Sequence, residues 1–228
     1  VGGSGNWSDI NHWSAVSGNN PMQLHTVTPT SNDNVILDAL SFPSTGGTIE
    51  INLNLAFCKN LIINNVPSNV TINFHGSHKR LRIFGDIMIT DTINWNGDGK
   101  ILLEGTNTNY INITDAVLPN LYANSLGKTW VVQDSLEVGK LVTEYGVFDL
   151  NGNYLNANNI ECFNSSTINI QNSTTHCNNF YVRHNASLEM TNAQIEINSV
   201  FEASGSSTIN SNGASIIMKQ NSVFFYDY

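Results

Sequence analysis

Trp7 and Trp13 stand six residues apart in a polar, glycine-rich string, Gly3-Ser4-Gly5-Asn6-Trp7-Ser8-Asp9-Ile10-Asn11-His12-Trp13-Ser14. An indole face fits the C–H face of a pyranose and supplies contact area without charge, so the pair could form a stacking platform for sugar rings. The competing and preferred reading is a lid, with both indoles covering the apolar end of the first repeat near Ile49 and Ile51. Asp33, Asn34 and Asp38 offer oxygens to a hard cation such as Ca²⁺, but no regular calcium loop surrounds them, and no cofactor is expected. His75 and His78, three apart, would need a third metal ligand that the string His75-Gly76-Ser77-His78-Lys79-Arg80 does not supply, so it reads as a polar turn. Glycosidic or elimination chemistry needs paired carboxylates or a cation beside the uronate. Asp149 and Glu189 are the best such pair: two repeats apart, with Asn169 between them, they would lie roughly 9 to 10 Å apart by strand stacking. A solvated outward column accounts for them more simply, and no catalytic residue is expected.

The elements that must position these groups are repeats. Val147–Gly152, Thr167–Asn172, Ser187–Asn192 and Thr208–Gly213 superpose at steps of 20, 20 and 21. Phe148, Ile168, Leu188 and Ile209 then form one apolar column, and Leu150, Ile170 and Met190 a second. Further columns run through Leu155, Thr175, Ile195 and Ile216, through Ala157, Cys177, Ile197 and Met218, and through Ile160, Phe180 and Val200. In the N-terminal half, Ile51-Asn52-Leu53, Ile72-Asn73-Phe74 and Ile93-Asn94-Trp95 recur at 21, and Leu61/Ile63, Leu81/Ile83 and Ile101/Leu103 at 20. Each set alternates apolar and polar residues, the signature of a short strand with one buried face.

A fixed period near 20 with three short strands per repeat predicts an all-β fold, a parallel β-solenoid, right-handed by the usual sense of parallel crossovers. One coil is expected to carry strands near Val147–Asn151, Tyr154–Asn158 and Asn159–Phe163. Residues 1–45 form an N-terminal cap and 46–228 the repeats, with an inserted loop around Pro119 within 115–145. The column Asn52/Asn73/Asn94 is expected to form a ladder of stacked amides. Cys58, Cys162 and Cys177 are too few and too scattered for a disulfide framework, and Cys162 and Cys177 read as small buried residues. The apolar end Val223–Tyr228 is expected to cap the last coil or to continue into a longer parent chain.

Composition narrows the partners. The chain of 228 residues holds 36 Asn, 22 Ser, 18 Thr and 17 Gly, and only 12% of its residues are charged. With nine Lys and Arg against eighteen Asp and Glu the net charge is −9, which argues against nucleic acid, whose phosphates need clustered cations. No segment is apolar for the ~20 residues a membrane-crossing helix requires, so no membrane insertion is expected.

The order GSGNWSD, HWS and then Pro29-Thr30-Ser31-Asn32-Asp33-Asn34-Val35-Ile36-Leu37-Asp38, followed by a solenoid with I-N-apolar strands, resembles the N-terminal modules of very large cell-surface and secreted proteins of Bacteroidota. These include gliding-motility-type adhesins exported by the type IX secretion system. The resemblance covers the first 45 residues by motif and the rest by repeat character. It implies an extracellular, cell-surface location with the export signal already removed, no catalytic motif, and partners among surface polysaccharides or secretion and anchoring proteins of the envelope. Asp91-Thr92-Ile93 and Asp134-Ser135-Leu136 resemble the O-glycosylation acceptor pattern of that phylum, with Thr92 and Ser135 as the hydroxyls. The expected function is a non-enzymatic adhesin or structural module. The alternatives are a carbohydrate-binding module and a polysaccharide-degrading β-helix.

Overall fold

The computed structural model describes residues 3–16, 23–105, 107–114, 116–219 and 222–226. The chain is a parallel β-solenoid, and the described residues contain no α-helix; Ile10–His12 forms a 3-10 turn. It divides into two compact units, Val1–Leu102 with Asn112–Pro119, and Leu103–Ile111 with Asn120–Tyr228.

In the first unit, Gly5–Asn6, Gly47–Ile51, Val70–Phe74 and Asn94–Asn96 form a parallel sheet in that order. Val35–Leu37, Leu61–Ile63 and Ile87–Ile89 stack as a second series, and Leu55–Cys58 pairs with Arg80–Ile83. Alternation decides which side chains enter the core: Ile49, Ile51, Ile72, Leu61, Ile63, Leu81, Ile83, Ile87 and Ile89 are all buried. Each such aliphatic side chain contributes roughly 1.5–3 kcal/mol of transfer free energy.

The registers correct the spacing expected here. Ile49 faces Ile72 and Ile51 faces Phe74, a step of 23, and Ile72 faces Trp95. Leu61 faces Ile87 at a step of 26, while Leu81 faces Ala56 at 25. From Leu81 to Ile101 the step of 20 holds, since Arg80–Ile83 pairs with Lys100–Leu103 and Lys100 N–H donates to Lys79 O. The recurrence at 20 also set Leu61 beside Leu81, which belongs to another series, and the recurrence at 21 set Ile51 beside Ile72, two positions out of register within one sheet. The Asn52/Asn73/Asn94 ladder is lost with that register. Asn73 faces Glu50 and donates to its carboxylate at 2.7 Å, Asn94 faces Thr71, and Asn52 is bonded to Ser8.

In the second unit the sequence columns hold. Leu155, Thr175, Ile195 and Ile216 stack in register, as do Ala157, Cys177, Ile197 and Met218, and Phe148, Ile168, Leu188 and Ile209. One column is corrected: a bulge between Cys177 and Asn179 puts Phe180 opposite Phe201, and Val200 opposite Asn179. The strands also run longer than expected, since Leu136–Asp149 and Tyr154–Asn169 pass through corners without interruption. Val117–Val132 likewise continues through Pro119, where a loop was expected; Asp115 lies outside the described residues. Val223–Tyr226 is a further ladder strand on Val200–Ala203, and Asp227 and Tyr228 lie outside the described residues.

The corners explain the asparagines. Gly152, Asn172, Asn192 and Gly213 occupy successive coils of one corner and all have positive φ, between 54° and 79°. Asn164, His184 and Gly205 do the same at a second corner. Asn and Gly enter the left-handed region at least cost, so a solenoid with tight corners selects them. Amide ladders form on this unit instead: Asn198 donates to Asn178 at 3.0 Å and Asn179 to Asn159 at 2.7 Å.

Candidate functional site

The first coil carries a cleft of about 360 Å³, lined by residues of the first unit alone. Val35–Leu37, Asp38, Leu40 and Phe42 line it, together with residues 12–16, His25, Pro29 and residues 32–34. The N-terminal segment is fastened to the coil by its backbone. Gly5 and Asn6 pair with Ile49 and Glu50, Trp7 N–H donates to Glu50 O at 2.8 Å, and Ser8 N–H to Asn52 Oδ1 at 3.1 Å. Thus residues 1–45 contribute strands to both series as well as covering the coil.

The two tryptophans part company. Trp7 is 1% exposed and meets Trp13 edge-on, with ring centroids 4.9 Å apart, so neither of its faces is available for stacking. Trp13 is half-buried, donates its indole N–H to Trp7 O at 2.9 Å, and lines the cleft. The lid position thus falls to Trp7, and the only indole of the pair that a ligand can reach is Trp13.

Asp33, Asn34 and Asp38 all line the cleft, and each has a structural bond within the fold. Asp33 Oδ2 accepts from Thr30 N–H at 2.8 Å and Thr30 Oγ1 at 2.6 Å. These bonds, led by the hydroxyl, hold the Asp33 carboxyl below the usual aspartate range. Asn34 Oδ1 accepts from Asn60, and Asp38 Oδ1 from Leu40 N–H and Ser41 Oγ. Among the described residues no group of three or more His, Cys, Asp or Glu is placed to hold a metal ion.

Two histidines also line the cleft. His25 Nδ1 lies 2.8 Å from Val27 O, which sets Nδ1 as the donor and turns Nε2 toward Asp33 Oδ1 at 3.9 Å. His12 lies over Gly5, where a Cβ would come within 2.3 Å of its Nε2. The apolar part of the cleft, Ile36, Leu40 and Phe42, carried no signal in the sequence, because isolated aliphatic residues in a polar segment look like ordinary surface. Ile36 is 49% exposed and Leu40 59%.

The remaining candidates lie elsewhere. Asp149, Asn169 and Glu189 do share one ladder column. Asp149 Oδ1 accepts from Asn151 N–H and Asn169 Oδ1 from Gln171 N–H, a turn repeated coil after coil, while Glu189 accepts from Ser187 and Asn210. His75 is exposed and bonds Glu50 at 2.9 Å, and Lys79 bonds Asn52 O and Asn54. Thr92 and Ser135 are both exposed and lie outside strands. All three cysteines are free and buried; desolvation pushes the Cys58 and Cys177 thiols up to about 12.

Comparison with protein-family models, curated proteins and solved structures returns no match.

Proposed function

We propose that the chain is a non-enzymatic binding module of a large exported bacterial surface protein, an adhesin built on a solenoid spacer, located outside the cell. The observation that carries this reading is the commitment of the outward carboxylates. Asp149 closes a turn, Glu189 ties two coils together, and Glu50 is held by Asn73 and His75. Two ladder steps separate Asp149 from Glu189, on the order of 9 to 10 Å, at the far limit for an acid/base pair. A rigid, weakly charged scaffold suits many weak contacts that add through effective concentration. The resemblance of the first 45 residues supports an envelope setting, with surface polysaccharide or an anchoring protein as partner and gliding motility as one context.

The test is incubation of the purified chain with plant, algal and bacterial polysaccharides, with and without calcium, following new reducing or unsaturated ends and co-sedimentation. Retention without chain cleavage is the expected result. Catalytic release of ends, lost on Asp149→Asn or Glu189→Gln, would overturn the reading in favour of a polysaccharide-degrading β-helix.

A further inference from the structure

We propose that the cleft of the first coil is a binding site for a neutral saccharide, one or two pyranose rings seated on Trp13. The proposal rests on the adhesin reading and gives it a ligand class and a location.

Four observations lead to it. The volume of about 360 Å³ lies at the small end of ligand pockets, which begin near ~300 Å³, and so suits one or two rings. The lining divides as a pyranose does: Trp13, Ile36, Leu40 and Phe42 offer apolar surface, while His12, His25, Asp33 and Asp38 offer polar groups. A pyranose presents C–H faces to the first set and a rim of hydroxyls to the second. The carboxylates accept and do not donate, Asp33 being held ionised by Thr30, so the complementary ligand is rich in O–H donors. Finally, two carboxylates on the wall and a chain charge of −9 oppose a uronate or sulfated polymer.

An extended peptide is the other occupant the cleft could suit, through strand addition to Val35–Leu37. Val35 N–H donates to Asn60 O and Leu37 O accepts from Asn64 N–H, so in this parallel ladder only Ile36 turns its backbone N–H and C=O away from Leu61–Ile63. One residue supplies two ladder bonds at most, too short an edge for peptide capture, whereas the same N–H and C=O can serve a sugar hydroxyl.

The experiment is calorimetric titration of the folded chain with neutral gluco-, manno- and xylo-oligosaccharides and with oligogalacturonate. Saturable binding of at least one neutral series, with oligogalacturonate at least tenfold weaker, is expected. Trp13→Ala should weaken binding about tenfold. Because Trp13 also supports Trp7, Ile36→Asp at the exposed rim is the second variant, read beside a thermal melt. It should lose binding with the melting curve unchanged. Absence of saturation with every neutral series, preference for oligogalacturonate, binding indifferent to both variants, or saturation by an unstructured peptide alone would each overturn the proposal. If the two variants still co-sediment with a polysaccharide as the parent does, the cleft is wrong while the adhesin reading stands; if the parent co-sediments with none, both fall.

Discussion

Phe180 lies against Phe201 of the next coil, ring centroids 5.8 Å apart and both rings fully buried, in a column that also receives Phe224 at 5.1 Å from Phe201. The bulge after Cys177 makes this contact by displacing Val200 to the neighbouring position opposite Asn179. Phe180→Ala is therefore expected to cost about 3–5 kcal/mol in denaturant unfolding, and Val200→Ala less than about 1. Equal costs would place the valine in the core column and refute the register.

His184 sits at φ 60°, between Asn164 at 59° and Gly205 at 68° in successive coils of one corner. It is the one member of that corner series that is neither Asn nor Gly, and it is exposed, so little packing offsets the strain. His184→Asn should raise stability by up to about 1 kcal/mol, which for a chain of this size is a rise of roughly 2–4 °C in Tm. Asn164→Val should lower it, since a β-branched residue tolerates positive φ worst. Differential scanning calorimetry of the two variants decides the matter.

Arg183 grips Glu202 with two hydrogen bonds of 2.7 Å and lies 4.2 Å from the Tyr181 ring. Those bonds hold the Glu202 carboxyl below its ordinary value of 4.5. A depressed folded-state pKa adds stability that is complete above the ordinary value and disappears as pH falls through the depressed one. Glu202→Gln should thus cost about 1 kcal/mol at pH 7, discounted for partial exposure, and the gap between parent and variant melting curves should close as the pH falls below 4.5 and through the depressed value. A gap that persists in acid would mean that packing, not charge, carries the pair.

The cysteines give a chemical test of the core. Thiols raised by burial are poor nucleophiles at neutral pH. The native chain should react with none of its three cysteines on exposure to a thiol-specific disulfide reagent, and with all three after denaturation. Rapid labelling of Cys58 or Cys177 in the native chain would contradict their placement.

The second unit was legible because from Phe148 to Met218 its ladder steps are 20 or 21, so Phe148, Ile168, Leu188 and Ile209 align by counting alone. Counting failed where the coil length changed. In the first unit the steps vary, from 23 between Ile49 and Ile72 to 26 between Leu61 and Ile87, and a 20-residue recurrence set Leu61 beside Leu81, whereas Leu61 stacks on Ile87 and Leu81 on Ala56. A bulge adds one residue without any mark in the side chains, which is why Val200 took the place of Phe201. Trp13, Asp33, Asn34 and Asp38 were visible as residue types, and the cleft does gather them. Their hydrogen bonds to Trp7, Thr30, Asn60 and Ser41 were not visible, because such bonds depend on turn geometry that composition does not encode.

In the second unit each coil is bonded only to the coil before it and the coil after it: Tyr154–Asn169 to Thr174–Arg183, that strand to Gln194–Ser204, and this in turn to Ser215–Met218 and Val223–Tyr226. Among the described residues no strand pairing clamps several coils at once, and stability in such an array is a sum of neighbour terms. Pulled from its end, the array gives way by peeling, one turn after another. Every turn of 20 residues set free adds roughly 65–70 Å of slack, so a tether of this design lengthens in equal increments under load before it breaks.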